Sequence, residues 1–205
     1  MSLTAEIQEY AHSQGAQLVG FAPVDVYTDY ITEVERRFQE TGAQPEHFMI
    51  SPVTDRQRQV KSDNHSFFTR LSDVHETFPD AKTMIILGVY TYDEAAVYRQ
   101  THQELRGKTA RIYHYYPVIR QIAEHVATWL EQRGHHAIHG QHIPLKFVAD
   151  RMGLGTYGKN GILQTAHYGS YIAFRNILIN IDVTPGTLTS TSPPCGRVLR
   201  PLRRM

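Results

Sequence analysis

The chain has 205 residues, of which 41% are apolar and 20% charged, and a net charge of +1 with histidine neutral. That length suits one substantial domain with at most a short appendage, and the charge balance gives no electrostatic case for nucleic acid or an anionic membrane as partner. No apolar run approaches the ~20 residues that span a bilayer and the N-terminus lacks a basic-then-apolar leader, so the default expectation is a cytoplasmic protein.

Leu3, Ile7, Tyr10 and Ala11 recur at helical spacing, and Gly15 follows as the expected residue just past the helix end. Residues 18–22 read as a short strand stopped by Pro23. Ile31, Val34 and Phe38 predict an amphipathic helix over 29–39, residues 42–64 read as a loop, and 66–75 as a short helix. The clearest strand is 83–92, a continuous apolar run of the kind covered on both faces. After a polar stretch at 93–106, Pro117 reads as the first residue of a helix, with Val118, Ile122, Val126 and Leu130 as its inward stripe and Gly134 as its end. Residues 135–142 predict a short strand and turn. Pro144 opens a helix with Phe147, Val148 and Met152 inward, Ile162 and Leu163 begin a strand, and 171–182 form a long β-rich run. Residues 187–194, rich in threonine, serine and proline, read as a linker after a first domain spanning 1–186.

The run Gly153-Leu154-Gly155-Thr156-Tyr157-Gly158-Lys159-Asn160-Gly161 holds four glycines in nine residues. Glycine costs about 1 kcal/mol in a helix relative to alanine, so this density implies positive φ or close backbone approach. Gly153, Gly155 and Gly158 satisfy G-x-G-x-x-G, but a dinucleotide site needs strand before and helix after, and here the order is reversed. A phosphate loop fails at Asn160, where a magnesium-ligating hydroxyl belongs. A helix C-cap followed by a tight turn is the plain structural alternative.

His135, His136, His139 and His142 form a cluster, but in an extended segment residues i and i+3 point to opposite faces. A solvated histidine-rich edge is therefore preferred to a metal site. At 113–116 four adjacent ring-bearing residues offer a phenol or imidazole as proton donor, with aromatic packing at a strand end as the alternative. No serine sits in a G-x-S-x-G nucleophile elbow.

The run 149–163, AxxxGLGxxGKNxxL as it stands here, resembles that of the epoxyqueuosine reductase family. The resemblance continues through Tyr168-Gly169-Ser170, Asn180-Ile181-Asp182, the segment 78–88 and the segment 18–23, with His114-Tyr115-Tyr116 in the place of the family's D-Y-H. Alternating helices and strands, with hairpin-like spacing near 162–182, favour a mixed or antiparallel sheet flanked by helices, with a doubly wound parallel sheet as second choice; the resemblance implies an α+β, nitroreductase-like fold of that kind. It further implies base-off cobalamin as cofactor, with Gly153 to Gly161 against the corrin and Tyr115 near it. The family acid falls on Gln141, leaving Tyr115 or His142 as the implied catalytic proton donors.

Cys195-Gly196 resembles the start of the family's cluster motif, but the next three cysteine positions are Val198, Pro201 and Met205. With one cysteine the chain builds no [4Fe-4S] cluster, which needs about four thiolates. The expectation is a truncated or frame-shifted ferredoxin-like module over 187–205, with electrons from a ferredoxin-type donor in trans and a small-molecule substrate; a homodimer is allowed. Two other functions are open: a non-catalytic corrinoid-binding or trafficking module, and a flavin-dependent nitroreductase-like enzyme.

Overall fold

In the computed structural model the apolar run does what its composition requires: Thr83–Tyr90 is a strand with every residue but the last buried. The structure describes residues 2–26, 36, 39–40, 74–92, 112–141 and 143–183. In chain order these form α1 (Leu3–Ser13), β1 (Leu18–Pro23), α2 (Val74–Thr77), β2 (Thr83–Tyr90), α3 (Ile112–Glu131), β3 (Ala137–His139), α4 (Leu145–Arg151), β4 (Thr156–Tyr157), β5 (Leu163–Gln164) and β6 (Ile172–Ile179). The loop at 42–64, the polar stretch at 93–106, the boundary at 186–187, the tail with Cys195, and most of the helices expected over 29–39 and 66–75 lie outside the described residues.

The main sheet has the order β1-β2-β6-β3 with every pair antiparallel, so the α+β expectation holds and the parallel alternative does not. Period-two alternation sends Ile85, Leu87 and Val89 of β2 to one face and Met84 and Ile86 to the other. On the first face α1 and α3 pack Ile7, Ala11, Ile122, Val126 and Leu130 against Phe21, Ile177 and Ile179. On the second, α4 brings Val148 and Met152 against Ala22, Leu178 and the fully buried Phe78. Each of the larger side chains among these contributes roughly 1.5–3 kcal/mol by leaving water.

The first helix ends as its sequence predicts, with Gly15 at φ 104°. The third does not begin as predicted: it starts at Ile112, and Pro117 lies inside it. The missing proline N–H forfeits only the bond to the carbonyl of Tyr113, a residue 61% exposed in the first turn of the helix, where such a loss costs least. Val118, expected on the inward stripe, is 43% exposed; the buried stripe is Ile119, Ile122, Ala123, Val126, Ala127 and Leu130. The two alanines decide this rotation because they let the helix backbone approach the sheet. No described helix is long and apolar enough to cross a membrane.

Candidate functional site

The short strand β3 pairs with β6 only from Ala137, opposite Ile179, to His139, opposite Ile177. The chain then turns away at Gly140, φ 77°, so the edge of β6 before Asn176 has no strand neighbour on that side among the described residues. A cavity of about 830 Å³ opens there. The third helix lines it with Tyr113, Tyr116, Arg120 and Glu124, which share one helix face by their three- and four-residue spacing. The opposite walls are Gln141, Ile143 and Leu145 on the way into α4, and Phe174, Arg175 and Asn176 of β6.

Asn176 is fully buried and ties this corner together. Its Oδ1 accepts from the Gln141 N–H at 2.9 Å, its Nδ2 donates to the Gln141 carbonyl at 2.9 Å, and its own carbonyl accepts from the Gly140 N–H at 3.0 Å. A carboxamide is the side chain that can donate to and accept from one residue's backbone at once. The backbone of Gln141 is thereby fixed at the cavity wall.

Arg175 crosses in front of Gly140, where a Cβ would collide with its guanidinium. Its Nε donates to His139 Nδ1 at 3.4 Å, which requires a neutral imidazole protonated on Nε2. Burial first, then the Arg175 charge, lower the His139 pKa from its ordinary value. Burial and then Arg120 lower the pKa of Arg175 itself. Two guanidinium groups thus face one cavity, and among the described residues neither has a carboxylate at ion-pair distance.

The glycine run lies at the other end of α4 and does not line this cavity. Gly153, φ 73°, ends the helix, with its N–H bonded to the Asp150 carbonyl and that of Leu154 to Ala149. Thr156 and Tyr157 then pair with Gln164 and Leu163 as a hairpin. A Cβ on Gly155 would stand 2.7 Å from the Gln164 carbonyl oxygen, and one on Gly158 2.8 Å from Asn160 Oδ1. Asn160 holds the turn by accepting from the Ile162 N–H at 3.1 Å, and Gly161 completes it at φ 70°. Lys159, Asn160 and Gly161 are exposed, while Leu154 packs against the second face of the sheet, where Gly20 leaves it room. The chain's own turns account for all four glycines. Thr156 is different: its Oγ1 is buried with no hydrogen-bond partner among the described residues.

Tyr115 packs against the first-face core, whereas Tyr113 and Tyr116, edge to face at 5.5 Å, line the cavity. The reason is that 112–116 is already helix, so one residue rotates the ring by about 100°. His142 lies outside the described residues. Of the other histidines, His136 stacks edge-on against Phe78 and His139 meets Arg175, and no metal-holding group of three forms among the described residues. Sequence reasoning missed Arg120, Gly140, Arg175 and Asn176. A signal existed: Arg175 and Asn176 interrupt an apolar strand otherwise buried at its centre.

No family model matches the chain. Over 119 residues it is 28% identical to the epoxyqueuosine reductase of Synechocystis sp., covering 54% of this chain and 40% of that protein. The structures of epoxyqueuosine reductase from Streptococcus thermophilus and Bacillus subtilis match over 97% and 95% of this chain, with TM-scores of 0.67 and 0.69 and identities of 22% and 23%. The chain has an epoxyqueuosine reductase-like fold. It spans about half the length of those two proteins, 50% and 49%. Beyond them, this epoxyqueuosine reductase-like chain matches a reductive dehalogenase, whose structure suggests a mechanism for B12-dependent dehalogenation, at TM-score 0.55 and 14% identity over 95% of its own length and 22% of that chain.

Proposed function

We propose that this chain is the corrinoid-binding part of a reductase related to the epoxyqueuosine reductases and reductive dehalogenases. It takes base-off cobalamin and receives electrons from a ferredoxin-type donor outside these residues, which hold a single cysteine. The observation that carries the reading is a fold shared with epoxyqueuosine reductase over 97% of the chain. Thr156 adds a second: an unpartnered buried hydroxyl, costing about 1–3 kcal/mol, in the very run that the resemblance lays against the corrin.

The run 153–161 would hold the cofactor's edge, with Lys159 and Asn160 at its periphery. When bound, a corrinoid supplies a low-valent cobalt that delivers electrons to a carbon–oxygen or carbon–halogen bond. The chain's residues would bind and orient the substrate and supply the proton. Tyr113 and Tyr116 line the cavity and are the phenols with access to a ligand there, while Tyr115, partly buried, packs against the first-face core. The reading takes a cytoplasmic setting and a small-molecule substrate with it.

Gln141 favours a second reading, corrinoid binding without turnover, because a carboxamide has no titratable proton to give. One titration addresses both. Stoichiometric cob(II)alamin added to the full chain should produce the base-off spectrum, and its absence would end both readings. A yellow preparation releasing flavin mononucleotide on heating would replace them with a flavin-dependent enzyme. Reduction of epoxyqueuosine or an organohalide by the cobalamin-loaded chain with an artificial reductant selects the reductase. Failure of both wild type and Gln141→Asp to turn over selects the carrier.

A further inference from the structure

Arg120 and Arg175 come from different elements, a helix and a strand, yet both face the cavity beside the edge of β6 that has no strand neighbour among the described residues. Burial and then the Arg120 charge lower the pKa of Arg175, and the two guanidinium groups have no ion-paired carboxylate among the described residues. Glu124, one helical turn beyond Arg120, lines the same cavity, so with His139 neutral the local balance is two guanidinium groups against one carboxylate. Arg175 is also held in place: His139 accepts from its Nε, and Gly140 leaves the room its guanidinium occupies. Holding like charges together is unfavourable until an anion enters between them, and a planar guanidinium fork matches an oxyanion with two hydrogen bonds. Beside the charges stand the rings of Tyr113 and Tyr116, which offer flat apolar surface to the body of such a ligand.

We propose that this cavity binds a small organic oxyanion, a phosphate monoester or a carboxylate, with its charged head between Arg120 and Arg175 and its body against Tyr113 and Tyr116. The site stands without the corrinoid reading, because its test uses the full chain with no cofactor added.

Inorganic phosphate, phenyl phosphate and benzoate are titrated into the full chain by calorimetry, with sodium chloride at matched ionic strength as control. Saturable binding of phenyl phosphate or benzoate is expected, and the tighter of the two names the head group. Binding of phenyl phosphate more tightly than inorganic phosphate would support the aromatic contact. Arg175→Gln is expected to weaken the binding about tenfold or more, and Glu124→Gln to strengthen it. The Glu124 variant keeps the test open if Arg175→Gln fails to fold. Absence of saturable binding for all three probes overturns the proposal. So does an equal response to chloride, or binding that both variants leave unchanged.

Discussion

Asn176 carries more of the site than any residue that sequence reasoning singled out. Replacing it with alanine removes two hydrogen bonds, leaving the Gln141 N–H without its partner and the Gln141 carbonyl with only the Ile143 N–H. We expect Asn176→Ala to lose about 2–3 kcal/mol in denaturant unfolding, and Asn176→Asp to recover little, because a carboxylate cannot donate to the Gln141 carbonyl. His139 gives a pH signature. Its pKa is lowered in the folded state, so the unfolded chain takes up the proton first on acidification. The stability it contributes is present above the ordinary histidine pKa of about 6.5 and is lost as pH falls through the lower folded value. Thermal melts from pH 7.5 to 5 should fall more for wild type than for His139→Gln, and parallel slopes would rule out this linkage. None of this was legible from residue types alone: an arginine and an asparagine in a strand read as polar interruptions until their cross-chain partners are known.

At the scale of elements, the glycine run shows how a correct local reading can stop short. Its density requires positive φ or close approach, and the structure uses both, at Gly153 and Gly161 for φ and at Gly155 and Gly158 for approach. Which glycine does which depends on the hairpin partner, residues away and invisible to spacing. The two uses predict different costs. Gly161→Ala meets nothing within 4 Å and should lose only about 1–2 kcal/mol of stability, through the backbone strain of a positive φ. Gly155→Ala drives a Cβ toward the Gln164 carbonyl and should lose about 1–3 kcal/mol and loosen the β4–β5 hairpin. Hydrogen exchange at the Gly158 N–H, bonded to the Ile162 carbonyl, reports that loosening, and unchanged protection in Gly155→Ala would contradict it. The start of α3 was misread for a related reason. Proline at a first position is the common case, but the core stripe running from Ile119 to Leu130 is strong enough to carry the helix five residues further back through Pro117.

For the whole molecule, the two helical layers share β2, so they should unfold together. Trp129, the chain's single tryptophan, stacks on Tyr10 at 4.9 Å and lies under the Arg133 guanidinium at 3.6 Å, which makes it a reporter of α1 docking on α3. Its fluorescence and the far-ultraviolet circular dichroism should give one denaturation midpoint; two midpoints would show the faces folding separately. The sequence by itself determined the α+β class, the central strand, the ends of α1 and α3 and the identity of the glycine run, because periodicity, burial of apolar runs and glycine's φ freedom are local properties. Only the tertiary structure decided where the cavity lies. It exists because β3 stops after three residues and, among the described residues, leaves an edge of β6 open, and it is charged because a helix face and a strand edge distant in sequence bring Arg120 and Arg175 to the same space. The glycine run folds as a helix end and a hairpin at the far end of α4, and its unpartnered Thr156 hydroxyl is the feature there that the chain's own folding does not explain.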